Sequence, residues 1–123
     1  MATKYVDGKV PGFRYGEGVA VADADAGLFV TATGNKSFAV LGSATARPFG
    51  MYAAPAVAGE LCAVWCCGGI YETDQYVTTN VVAGCDLAVD ASTNKLKLAA
   101  GGNFVVGHAI SVSGGVLTFK LLV

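Results

Sequence analysis

Any catalysis in this chain would have to be assembled from one histidine, four cysteines and nine carboxylates. His108 stands in the run Val105-Val106-Gly107-His108-Ala109-Ile110, an apolar strand context in which a partly buried structural histidine is expected. Ser111, Ser113 and the thiol of Cys85 are the nucleophiles within reach of a His-centred site, yet the G-x-S-x-G turn that presents a serine nucleophile is missing. The remaining cysteines are Cys62, Cys66 and Cys67. A zinc site needs paired ligands at spacings such as C-x-x-C, whereas adjacent Cys66 and Cys67 point to opposite faces of a strand. The four thiols are therefore read as free cysteines packed as small hydrophobes.

The carboxylates give no better site. Asp23, Asp25, Glu60, Glu72, Asp74, Asp86 and Asp90 fall mostly near predicted turns, where Asp caps the local backbone and Glu faces water. Asp23 and Asp25 share the spacing that opens a calcium loop, but the rest of that pattern and its closing Glu do not follow. There is no P-loop and no Gly-rich strand-to-helix fingerprint. Asn35-Lys36-Ser37 fits a glycosylation sequon, which matters only after secretion. The expectation is a protein with no catalytic, cofactor-binding or metal-binding residues.

The elements that carry these residues follow from composition and periodicity. Of 123 residues, 54% are hydrophobic and 14% charged, and 17 glycines break the apolar residues into short runs. That profile suits many short strands joined by tight turns. Leu61-Cys62-Ala63-Val64-Trp65-Cys66 is rich in strand-forming residues, and residues 116–122 alternate Leu117, Phe119 and Leu121 with Thr118 and Lys120. Residues 76–79 and 104–106 read as further strands. Turns are expected at Gly34-Asn35-Lys36 and at Asn94-Lys95, because Gly and Asn tolerate positive φ. No window carries the apolar i, i+3, i+4, i+7 pattern of a helix without interrupting glycines. The fold class is all-β, a compact β-barrel or sandwich of short strands. Trp65, Met51, Tyr52 and Phe49 are placed in its core.

The chain repeats itself weakly. Ala26-Gly27-Leu28-Phe29-Val30 followed by Asn35-Lys36 recurs as Ala83-Gly84-Cys85-Asp86-Leu87 followed by Asn94-Lys95. Phe49-Gly50-Met51-Tyr52-Ala53 is echoed by Val106-Gly107-His108-Ala109-Ile110, and the offset drifts between about 55 and 59 residues, as short insertions would cause. The expected organisation is an N-terminal arm over residues 1–18 and a single β domain over 19–123, with pseudo-repeats about 26–70 and 83–123. The arm carries Tyr5, Lys9, Phe13, Arg14 and Tyr15 among glycines and a proline. These five are the candidate partner-binding residues, aromatics as anchors and cations at the rim.

Net charge is −1 and the basic residues are spread out, so nucleic acid is not an expected partner. No stretch approaches the roughly 18 to 20 apolar residues of a membrane-spanning helix, and the first residues lack the apolar core of a secretion signal. Synthesis in a cytoplasm is the expectation.

The cadence of Ala26-Gly27, Gly34-Asn35-Lys36, Phe49-Gly50, Ala58-Gly59-Glu60-Leu61-Cys62-Ala63-Val64, Gly68-Gly69-Ile70-Tyr71, Ala83-Gly84-Cys85-Asp86-Leu87-Ala88-Val89-Asp90 and Val106-Gly107-His108-Ala109 resembles the small Ala/Gly-rich capsid decoration (cement) proteins of tailed bacteriophages. The resemblance covers about residues 16 to 123. It implies a virion protein, made in the bacterial host cytoplasm, that binds the outer face of a shell and clamps neighbouring major capsid subunits. It also implies a homo-oligomer, a trimer in preference to a dimer, with no catalysis and no cofactor. The competing expectation is a β-barrel module of a tail, spike or baseplate that recognises another protein or a surface glycan.

Overall fold

The structure is a computed structural model that describes residues 3–7, 13–66 and 68–123, with backbone alone described for 4–7 and 13–17. Among the described residues every regular element is a strand, so the all-β expectation holds. Five of the strands close a barrel in the order β2-β4-β3-β5-β6: β2 (Phe13–Ala20), β3 (Phe29–Gly34), β4 (Ser37–Val40), β5 (Gly50–Tyr52) and β6 (Leu61–Cys66). The β3–β4 hairpin turns where Gly34-Asn35-Lys36 predicted it, with Lys36 at φ 54°. β2 pairs antiparallel with β6 and closes the barrel by a short parallel contact with β4, Val19 opposite Ser37 and Ala20 opposite Phe38.

A second, six-stranded sheet runs in the order β1-β7-β11-β10-β8-β9, built from β1 (Lys4–Asp7), β7 (Ile70–Thr73), β8 (Asp86–Val89), β9 (Leu96–Leu98), β10 (Gly107–Ser113) and β11 (Val116–Leu121). Its order β9-β8-β10-β11 reproduces the order β4-β3-β5-β6 of the barrel. The registers also repeat. Phe29 opposite Met51 and Val30 opposite Gly50 return as Asp86 opposite His108 and Leu87 opposite Gly107. Met51 opposite Trp65 returns as His108 opposite Lys120. Even the parallel closure has a counterpart, an isolated bridge between Tyr76 and Leu96.

The conserved glycine of this repeat has a steric cause. A Cβ on Gly50 would collide with the Trp65 carbonyl oxygen, and one on Gly107 would sit 3.1 Å from the carbonyl oxygen of Lys120, the corresponding residue. At both places two strands approach too closely for a side chain.

Period-two alternation then divides the first half between two cores. Val30, Phe38, Tyr52, Cys62 and Val64 fill the barrel, while Phe29 and Met51 point out of it and join Tyr71, Leu87, Val89, Leu117 and Phe119 in the core of the second sheet. Trp65 follows Phe29 and Met51: it lies outside the barrel and packs 5.0 Å from the ring of Tyr71. Of the four residues expected in the core, Met51 and Tyr52 are buried, Trp65 is partly buried between the sheets, and Phe49 lies partly exposed at a barrel end.

Polar stitching fixes the two sheets against each other. Asn94, in the positive-φ position of the predicted turn, is buried and reaches back to the barrel. Its Oδ1 accepts from the Phe29 N–H at 2.7 Å, and its Nδ2 donates to the carbonyls of Phe29 and Leu41 at 3.2 and 3.1 Å. Asp90 orders the same loop, its Oδ1 accepting from the Ser92 hydroxyl and from the N–H groups of Ser92 and Thr93.

Two expected strands, over residues 76–79 and 104–106, do not form. Of residues 76–79, Tyr76 makes an isolated bridge. Residues 104–106 make single sheet-like bonds just ahead of β10, because Phe104 turns its N–H to Ala44 and Val106 meets Leu87 and Leu122.

Candidate functional site

Of the five predicted partner-binding residues, Lys9 lies outside the described residues. Tyr5 falls on β1 opposite Tyr71, in the second sheet. Phe13, Arg14 and Tyr15 stand in succession on β2, opposite Cys66, Trp65 and Val64 of β6. The backbone thus brings three of the candidates together at one end of the barrel wall and sets the fourth on the other sheet.

That end of the barrel is also where a groove opens. Thr31, Ala32, Arg47, Pro48, Phe49, Cys66 and Val123 line about 520 Å³, and a smaller hollow of about 250 Å³ continues from Ala32 and Phe49 to Lys36 and Phe38. Phe49, 37% exposed, sits between the two with its ring 4.9 Å from that of Phe38. Arg47 is exposed and lies over the ring of Phe104 at 5.7 Å. An apolar floor with Arg47 and Lys36 along it suits a protein segment carrying apolar and acidic side chains. Sequence reasoning missed Arg47, since it sits in a loop whose path only the tertiary fold reveals.

At the opposite end, Val21, Val57 and Leu61 are exposed, Leu61 by 68%. The loop over residues 53–60 is held there by the Ala58 N–H donating to Asp23 Oδ1 at 2.8 Å and the Gly59 N–H donating to the Ala20 carbonyl. The signal for Leu61 was in its strand: with Cys62 and Val64 turned inward, residue 61 must face out.

The groups capable of chemistry are dispersed. His108, expected to be partly buried, is instead exposed, because Gly107 and Ala109 take the inward positions of β10. Its Nδ1 lies 3.1 Å from Asp86 Oδ1 on the outer face of the sheet. The row Asp86, His108, Lys120 occupies the positions that Phe29, Met51 and Trp65 hold in the first half, so one copy of the row seals the two sheets together and the other meets solvent. Cys62 and Cys85 are free thiols. Burial pushes the Cys62 thiol up, and its Sγ donates to the Gly18 carbonyl at 3.4 Å, a setting that suppresses the nucleophilic thiolate. Burial, with the neighbouring Cys62, also raises the Tyr52 phenol. Among the described residues no three His, Cys, Asp or Glu side chains gather as a metal would require.

No curated protein matches the chain. Among solved structures, the chain is similar to the head fibre gp8.5 N base of bacteriophage phi29, with a TM-score of 0.59 at 13% identity, over 89% of this chain and 92% of that one. At that identity the likeness speaks for the fold. The family model described as phage cement protein matches residues 28–115, from just ahead of β3 to the β10–β11 turn. With more than half of its length matched, this chain belongs to the phage cement protein family.

Proposed function

We propose that the protein decorates the outer face of a phage capsid and stabilises contacts between major capsid subunits. The observation that carries this reading is the family match across residues 28–115, supported by a fold likeness to a phage head fibre base. The dispersed titratable groups and the suppressed Cys62 thiol support a structural role without catalysis. The protein acts in the virion after synthesis in the host cytoplasm, as a homo-oligomer, a trimer in preference to a dimer. Oligomerisation multiplies modest contacts per subunit into tight attachment to a symmetric shell. Tyr5, Lys9, Phe13, Arg14 and Tyr15 contact the capsid or a neighbouring subunit.

The test is sedimentation of the full chain with expanded empty shells, run beside a truncation of residues 1–10 and an alanine triple variant at Phe13, Arg14 and Tyr15. The truncation leaves β2 whole, so the barrel persists. Both variants should keep a cooperative thermal transition and lose most shell binding. Undiminished binding by both would remove the N-terminal residues from the interface.

A further inference from the structure

The internal repeat exposes a difference between its halves. In the second sheet, β7 has β11 on one side and β1 on the other, Lys4 opposite Glu72 and Tyr5 opposite Tyr71, with the Tyr76–Leu96 bridge further along the same chain. In the barrel, β2 is the counterpart of β7. It has β6 on one side, and on the other it meets β4 only at Val19 and Ala20, where the Val19 N–H donates to Lys36 and the Val21 N–H to Phe38. Along residues 13–15 that second side carries no paired strand among the described residues. The place that β1 fills on β7 therefore has a twin on β2 that no strand among the described residues fills.

We infer that this edge of β2, along residues 13–15, is the seat for an extended segment of the protein to which the chain attaches, added antiparallel as β1 is added to β7. The inference rests on the capsid reading for the identity of that partner. Three observations lead to it. The twin edge shows which occupant the geometry accepts, an extended strand bonded through its backbone. Among the described residues there is one β1 for two such edges, so exchanging β1 between copies would fill one edge while opening another, whereas a strand from a different polypeptide would leave both filled. Finally, this edge of β2 lies at the barrel end where the grooves around Phe49 open, and Cys66, which lines the larger one, is the cross-strand partner of Phe13. A strand seated on β2 would have an apolar surface and Arg47 nearby for its side chains, which adds selectivity to backbone pairing.

Residue-resolved hydrogen exchange tests this on the full chain, free and bound to shells. In the free protein, amides within residues 13–15 that face away from β6 should exchange fast, while those of Ile70, Tyr71 and Glu72, flanked on both sides, stay slow. On shells, the fast amides should slow by at least about tenfold. Shell-bound protein with residues 13–15 still fast would overturn the strand seat while leaving the capsid reading standing. Protection already present in the free oligomer and lost on dilution would overturn it in favour of a second copy. Failure to sediment with shells would overturn the capsid reading itself and this partner with it.

Discussion

Replacing Asn94 with glycine isolates the stitching between the two sheets. Asn94 occupies a positive-φ position, φ 57°, which glycine accepts without strain, so the substitution removes the side chain and little else. Three hydrogen bonds go with it, one accepted from the Phe29 N–H and two donated to the carbonyls of Phe29 and Leu41, all in a buried setting. At about 1 kcal/mol net for each bond the loss is about 3 kcal/mol, and the freer unfolded chain of a glycine variant brings it to between about 3 and 4 kcal/mol. For a domain of this size that is a fall in Tm of roughly 12 to 15 °C. Urea denaturation of the two proteins reads the difference directly. Asn94→Asp should cost at least as much, because it keeps the acceptor for Phe29 N–H but sets a carboxylate oxygen against two carbonyls. A loss under about 1 kcal/mol for Asn94→Gly would refute the view that this side chain holds the sheets together.

Two further outcomes follow from the same geometry. Gly50→Ala should destabilise by about 3 kcal/mol, since its new methyl meets a backbone carbonyl that cannot move aside, whereas Gly107→Ala, with 3.1 Å to the same kind of atom, should cost about 1 kcal/mol; thermal unfolding of both checks the order, and equal costs would contradict it. Hydrogen bonds from Ser92 and Thr93 hold the Asp90 carboxyl down at about 2, below its ordinary 3.8. A lowered folded-state value means this contribution to stability is complete above the ordinary value and is lost as pH falls through it towards about 2. Ser92→Ala should bring the Asp90 titration, followed by NMR, back up towards the ordinary value, and an unchanged titration would contradict the assigned cause.

Much of the fold was legible because β structure writes its alternation into sequence. The alternation of Leu117, Phe119 and Leu121 and the turns at Lys36 and Asn94 appear where the residue pattern put them, whereas β6 buries Cys62 and Val64 in the barrel and turns Trp65, expected in the core, to the other face. The alternation says which side chains share a face, though not what covers that face. Trp65 and His108 show the consequence. Each faces out of its own strand, yet Trp65 is covered by the second sheet and His108 is not, and only the arrangement of the two sheets decides between them. The groove around Phe49 escaped notice for a related reason: Arg47, Cys66 and Val123 are far apart in the chain and meet only after the barrel closes. The N-terminal residues stood out by composition, but composition could not tell that β1 would lie along β7 and β2 would complete the barrel.

The central claim is attachment to a capsid, and the most direct measurement is quantitative sedimentation of the protein with expanded empty shells of its own phage, followed by heating of the decorated shells. The account predicts saturable binding at a fixed ratio of protein to capsid subunit and a higher disruption temperature for decorated than for bare shells. Protein that stays in the supernatant at all ratios, or that binds without changing the disruption temperature, would contradict it.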